Sequence, residues 1–243
     1  MPCAVKAAAD HLLTRDVKVS ILIPVLNEAA YVADAVQRAW ESGADEVIVA
    51  DGGSTDATLE IACGLRCELV ETNSGRAMQQ NAAARKARGD VLLFLHADTF
   101  LEADAISQIT AALARDKAAW GGAFRQRIEA PGVAYRLLER ANALRVRCLR
   151  LPYGDQGLFV RREVFFAAGE FPEVKLLEDL LLAKTLRRRG PPLLLPGPLH
   201  VSARRWQKHG LVRQTLRNWS ILLAHACGAS PDSLATWYRR HDA

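Results

Sequence analysis

An α/β fold, in which a mainly parallel sheet is flanked by helices, is what three features of this 243-residue sequence predict. Short apolar runs of strand length alternate with amphipathic segments of helix length through the first half. Turn residues (Gly, Asn, Asp, Ser) punctuate the runs. The residues with chemical potential cluster just after the apolar runs, at the carboxyl ends of the strands, where open α/β sheets bind ligands.

Residues 19–25 form the first expected strand and 28–41 a helix, followed by a strand at 46–50 and a helix at 56–64. A third strand at 67–71, a helix at 76–88, a fourth strand at 91–95 and a helix at 102–115 complete the alternation, which implies right-handed crossovers. Beyond Trp120 the pattern loosens into 121–128, a basic helix at 133–150, a turn at 152–157, a helix at 178–189 and a strand at 192–201. This half reads as an extension of the same sheet that shapes a substrate site. Residues 206–227 read as one basic amphipathic helix ending at Gly228, with a short tail beyond. Leu211, Leu216, Trp219, Leu222 and Leu223 share one side of it, and Lys208, Arg213 and Arg217 supply charge. Such a helix suits a membrane surface, a partner subunit, or packing on the chain's own core.

Composition limits the partners. A net charge of +5 favours anionic ligands, but no zinc-finger or RNA-binding signature accompanies the basic residues, so nucleic acid is not expected. No apolar run approaches the roughly 18 residues that span a bilayer. The N-terminal stretch lacks the apolar core of a secretion signal, and five cysteines without paired spacing fit reduced thiols. Together these point to a cytoplasmic protein, with peripheral attachment at the inner membrane surface as the variant.

Four motifs carry chemistry. Asp51-Gly52-Gly53-Ser54-Thr55-Asp56 follows a strand: its glycines permit close ligand approach, Asp51 offers an acceptor to a base or ribose, and Ser54, Thr55 or Asp56 caps the next helix. His96-Ala97-Asp98 sets two ligands two residues apart, on one side if the chain stays extended, and suits Mg²⁺ or Mn²⁺ against a diphosphate. Gly75-Arg76 opens a helix whose free N–H groups meet phosphate. Glu178-Asp179 begins another, where the helix dipole stabilises carboxylates whether or not they do chemistry.

The ordered set resembles the family 2 glycosyltransferases with the GT-A type of nucleotide-diphospho-sugar transferase fold, over about 19–210. Ile23-Pro24-Val25-Leu26-Asn27-Glu28 is similar to the family's opening nucleotide loop, 50–56 to its second, and Gly75-Arg76 with Asn81 and Ala84 to the helix before the metal strand. Phe94-Leu95-His96-Ala97-Asp98 takes the place of the acidic metal motif, with His96 where an aspartate is usual. Gly154-Asp155-Gln156-Gly157 looks like the acceptor-side turn, Glu178-Asp179 like the catalytic pair, and Ala203-Arg204-Arg205-Trp206 like the closing basic motif, without the Gln of the processive synthases.

The resemblance implies a nucleotide pocket of Pro24, Val25, Asn27, Glu28, Asp51, Gly52, Arg76 and Asp98, and a divalent metal, Mn²⁺ or Mg²⁺, at Asp98 with His96. It implies Asp179 as general base supported by Glu178, and Asp155, Gln156, Arg204, Arg205 and Trp206 on the acceptor or phosphate. It also implies a tail at 1–18, a glycosyltransferase domain at 19–206 with a nucleotide-binding half (19–120) and an acceptor half (121–206), and a C-terminal helix and tail at 207–243. The expected reaction is inverting, metal-assisted transfer of one sugar from a nucleoside-diphosphate donor to an unidentified acceptor. Alternatives are a nucleotidyltransferase, which wants a Gly-rich basic loop where this chain has 24–28, and a non-catalytic nucleotide-sugar-binding scaffold.

Overall fold

The computed structural model describes residues 17–240, with the side chains of Arg205 and of 238–240 outside the description, so most of the 1–18 tail lies beyond the described residues. The first half contains β1 (Val19–Val25), α1 (Val32–Glu41), β2 (Glu46–Asp51), α2 (Thr58–Cys63), β3 (Glu68–Glu71), α3 (Arg76–Lys86), β4 (Val91–Phe94), β5 (Thr99–Leu101) and α4 (Ala105–Arg115). The second half contains β6 (Gly121–Ile128), α5 (Val133–Leu149), a 3₁₀ turn (Gly154–Gln156), β7 (Phe159–Arg161), α6 (Arg162–Ala167), α7 (Glu178–Leu186), a 3₁₀ turn (Arg187–Arg189) and β8 (Leu193–Val201). Three helices close the chain: α8 (Arg204–His209), α9 (Leu211–Ala226) and α10 (Pro231–Arg240).

All eight strands join one sheet in the order β3-β2-β1-β4-β7-β6-β8-β5. The first four are mutually parallel, as βαβ crossovers require. β7 runs antiparallel to β4 and β6, β6 is parallel to β8, and β5 closes the edge antiparallel to β8.

Strand alternation sends successive residues to opposite faces. Ile21 and Ile23 of β1 pack with Val32 and Val36 of α1 and with Ile106 and Ile109 of α4. Leu22 faces the other way, among Ala83 and Ala84 of α3, Phe94, Phe165 and Leu182. Both faces are covered, which is why β1, β2 and β4 read as continuous apolar runs. Pro24 fits a central strand because the pairing of β1 with β4 has ended at Leu22↔Phe94, so its missing N–H costs no ladder bond on that side.

Several element expectations need correction. The first helix starts at Val32 rather than 28, because Asn27 is left-handed (φ 57°) and the Glu28 carbonyl closes a turn onto Tyr31 and Val32 N–H. The helix expected at 206–227 is broken by Gly210 (φ 81°) into α8 and α9. The tail beyond Gly228 holds α10. The short strands β5 and β7 and the helix α6 fall where no element was expected.

Candidate active site

The two loops that follow β1 and β2 are laced together by their own side chains. Asn27 N–H donates to Ser54 Oγ (2.9 Å), Thr55 N–H donates to Asn27 Oδ1 (2.8 Å), Glu28 N–H donates to Thr58 Oγ1 (2.8 Å) and Ala29 N–H donates to Asp56 Oδ2 (3.2 Å). Asp51 is buried at the tip of β2; its Oδ2 accepts Gly53 and Ser54 N–H, and its Oδ1 accepts the Ser54 hydroxyl. None of the three expected caps takes the N-cap position of α2, which is Ala57; Asp56, one residue earlier, accepts Thr58 N–H and the Thr58 hydroxyl. Ser54 and Thr55 are turned to Asp51 and Asn27 instead.

Gln79, buried on α3, is a member of this scaffold that sequence reasoning left unassigned. Its Nε2 donates to the carbonyls of Val25 (2.7 Å) and Ala50 (3.0 Å), holding the ends of β1 and β2 together. It also explains Gly52, since a Cβ there would stand 2.8 Å from the Gln79 amide carbon.

Glu178 and Asp179 begin α7 directly after Leu177, which takes a left-handed φ of 67°. For a branched side chain that is a strained conformation of the kind found at functional sites. Asp179 reaches across to the acceptor-side turn: Oδ2 accepts Gly154 N–H (2.7 Å) and Oδ1 accepts Leu180 N–H (2.7 Å). A Cβ on Gly154 would lie 3.3 Å from Asp179 Oδ2 and 3.7 Å from His96 Nε2, so three motifs distant in sequence meet at this glycine.

Glu178 is buried, and Arg76 NH1 stands 3.3 Å from its Oε1, so Arg76 is directed toward the Glu178-Asp179 helix start. Burial pushes the Glu178 carboxyl up, further than Arg76 pulls it back, and Asp179 adds to the rise. Asp155 is likewise pushed up by burial, against the pull of Arg145.

Asp98 and His96 do not point side by side. Thr99 N–H bonds back to the His96 carbonyl, so the chain turns where the extended expectation required it to run straight. Asp98 Oδ2 lies 3.2 Å from Arg204 NH2, and Arg204 stacks over Tyr31 at 4.8 Å. Among the described residues no cluster of three or more His, Cys, Asp or Glu converges. The donor that fits a hard cation here is the Asp98 carboxylate, with the other ligands to come from substrate phosphate and water.

The 3₁₀ turn is backed by a polar network in which Gln126, Asn142 and Arg145, which sequence reasoning left unassigned, surround Asp155 and Gln156. Gln156 is fully buried, and its Oε1 accepts Tyr153 N–H (3.2 Å) and Arg145 NH2 (2.8 Å). Arg145 also lies over the Tyr153 ring. Gln126 Nε2 donates to the Asp155 carbonyl (2.9 Å) and Asn142 Nδ2 donates to Gln126 Oε1 (2.7 Å). Arg145 NH1, Asp155 Oδ1 and Gln156 Nε2 are buried here without a hydrogen-bond partner, so the turn retains polar capacity for a ligand or water. Arg145 and Asn142 gave no sequence signal, being one arginine among several and one amide on a basic helix. Trp206 packs edge-on against Tyr135, and the Arg205 side chain lies outside the described residues.

Two strand-end loops laced together stand at the carboxyl end of the sheet with a strained helix start that carries buried Glu178 and half-buried Asp179, and the comparisons with known proteins give the family. The chain belongs to Glycosyl transferase family 2, whose model matches residues 20–169. A PGL/p-HBAD biosynthesis glycosyltransferase of Mycobacterium bovis is 29% identical over 224 residues, covering 81% of this chain and 79% of that protein. The uncharacterised glycosyltransferase YfnE of Bacillus subtilis is 31% identical over 100 residues, but the match takes in 37% of this chain and 26% of the longer protein. Glucosyl-3-phosphoglycerate synthase from Mycobacterium tuberculosis, crystallised with Mg²⁺ and uridine diphosphate, shares the fold with a TM-score of 0.56 at 20% identity, over 76% of this chain and 70% of that one. No helix among the described residues is long and apolar enough to cross a membrane.

Proposed function

We propose that this glycosyltransferase moves a single sugar, with inversion, from a nucleoside-diphosphate sugar to an acceptor hydroxyl, with Asp179 as general base. The observation that carries the reading is the placement of the Asp179 carboxylate, fixed by two backbone amides and set against the Gly154 turn and His96. Each of its oxygens accepts one amide and keeps a second lone pair for a hydroxyl proton. The uridine diphosphate bound by the mycobacterial synthase of the same fold supports the donor class.

In this reading residues 19–120 bind the nucleotide, with Pro24, Val25, Asn27, Glu28, Asp51 and Gly52 shaping its pocket, and 121–206 bind the acceptor beside Asp155, Gln156 and Trp206. The acceptor oxygen attacks the anomeric carbon from the face opposite the diphosphate, its proton passes to Asp179, and the bond to the diphosphate breaks. Arg76, Arg204 and Arg205 offset the charge that gathers on the leaving diphosphate. Asp98 with His96 would hold the divalent metal, Mn²⁺ or Mg²⁺, which supplies Lewis-acid stabilisation of that leaving group. Glu178 orients Arg76 and supports Asp179. The C-terminal helices serve association, with a membrane surface or a partner subunit, at the cytoplasmic side.

Asp179→Asn tests the assignment. Turnover on a panel of nucleotide sugars falls by about 10²–10⁴-fold while uridine diphosphate affinity and melting temperature hold. Near-normal turnover with saturating substrates would place the base elsewhere, Asp155 being next because its Oδ1 is buried without a partner.

A further inference from the structure

α9 carries its apolar stripe on the outside. Val212, Leu216, Trp219 and Leu223 recur at the spacing of one helix face and are 70%, 58%, 64% and 66% exposed, whereas the helix buries Gln214 and Ile221 toward the protein. The core has not taken up this stripe. α5 repeats the pattern: Val133, Leu137 and Leu144 are exposed at helical spacing, with Arg140 and Arg147 on the same face. The two helices belong to one region of the molecule, because Trp206 of α8 meets Tyr135 of α5, and Leu222 of α9 packs against the small cluster of Leu151, Leu180 and Ala183, which Tyr153, just beyond the end of α5, also joins.

The charge is of one sign. No Asp or Glu occurs between Ala203 and Pro231, while Arg204, Arg205, Lys208, Arg213 and Arg217 do. On α5 the single acid, Glu139, is turned inward to Ile128 N–H and Arg136. A groove of about 330 Å³ between α9 and α10 sets Arg213 and Arg217 beside Leu216 and Trp237. Exposed Leu, Val and Trp flanked by cations, without acids, match the interface of an anionic bilayer: the side chains enter the acyl boundary and the arginines meet lipid phosphates. A second copy of the chain would bring the same cations onto themselves, which an isologous contact penalises.

We propose that α5 and α9 together form a docking face for an anionic membrane surface. The inference rests on reading the C-terminal segment as an association element, and it fixes the partner. Docking in this way sets the acceptor side of the site, Tyr153 and the Gly154 turn, next to the bilayer.

Flotation of the full chain with phosphatidylcholine vesicles, with and without roughly a third phosphatidylglycerol, tests it. Binding is expected to the anionic vesicles alone, with the protein monomeric by sizing. Trp219→Glu with Leu223→Glu lowers the bound fraction by about tenfold, and Arg140→Glu and Arg213→Glu each by about fivefold. Uridine diphosphate binding stays unchanged in all four substitutions, so a failure of docking is read separately from a failure of the donor site. Absence of wild-type flotation, equal flotation on neutral vesicles, indifference to Arg140→Glu, or a dimer that Trp219→Glu dissolves would each overturn the proposal. The comparison of the two vesicle types on wild-type protein decides the matter even if the double variant misfolds.

Discussion

Glu178 shows how the burial of a single carboxyl sets a pH dependence of stability. It is nearly sealed from water, its partner Arg76 is half exposed, and burial outweighs that partner, so its carboxyl titrates above the ordinary range. The folded state therefore holds the proton more tightly than the unfolded chain. Stability falls as pH rises from the ordinary carboxylate range through the raised folded value, and is unaffected below both. Glu178→Gln removes this titration at little cost to the exposed Arg76. Thermal melts across roughly pH 4 to 8 should show a flatter profile and, at neutral pH, a gain of about 1 kcal/mol. Turnover falls in the same variant. A loss of stability at neutral pH would mean that the pair with Arg76 outweighs burial.

At the scale of elements, the sheet is pinned at the end away from the site by Glu46, the first residue of β2. Its Oε2 accepts the Ser20 hydroxyl of β1 (2.6 Å) and Arg88 N–H (2.8 Å), and its Oε1 accepts Arg88 Nε (3.0 Å). Burial alone would raise this carboxyl, but the bonds from Arg88 and Ser20 outweigh it and hold it below the ordinary range. The stability it contributes is therefore present above that range and is lost as pH falls through the depressed value. Glu46→Gln should cost about 1–2 kcal/mol in neutral urea titrations, a difference that vanishes in acid. An unchanged midpoint at neutral pH would show that solvent satisfies Arg88 and Ser20 equally well.

What the sequence made legible follows the same physics. β1 to β4 and their helices were readable because both faces of those strands are covered, which leaves uninterrupted apolar runs between turn residues. β5 and β7, three residues each, carry no periodicity of their own and exist because β8 and β4 offer them edges. The motif positions were legible too, as residues. Their partners were not: that Asn27 bonds Thr55, that Asp98 meets Arg204, and that Arg145 underlies Gln156 are consequences of how separate segments fold against one another.

Over the whole molecule the stability is unevenly distributed, and the division falls at Gly210. The two large apolar clusters, one on each face of the sheet, contain no buried residue from α9 or α10. Those helices are held by Gln214, Ile221, Leu234 and Ala235, by Leu222 against the small cluster of Leu151, Leu180 and Ala183, and by Asp232 accepting Lys175 N–H. A segment with so little buried apolar surface opens without the sheet. Native-state hydrogen exchange should therefore resolve two units: amides of β1, β2 and β4 that exchange only through global unfolding, and amides of α9 and α10 that exchange several kcal/mol below it. The small cluster ties this opening to the site, because Leu222 packs against the same three residues as Tyr153 and Leu177, which flank the Gly154 turn and the start of α7. Opening of α9 thus loosens the ground on which Asp179 meets Gly154, and anything that covers α9 should raise its protection and steady that contact together. Equal protection of α9 and β1 in the free protein would instead make the C-terminal helices part of the cooperative core, and the motion assigned to them would have no energetic basis.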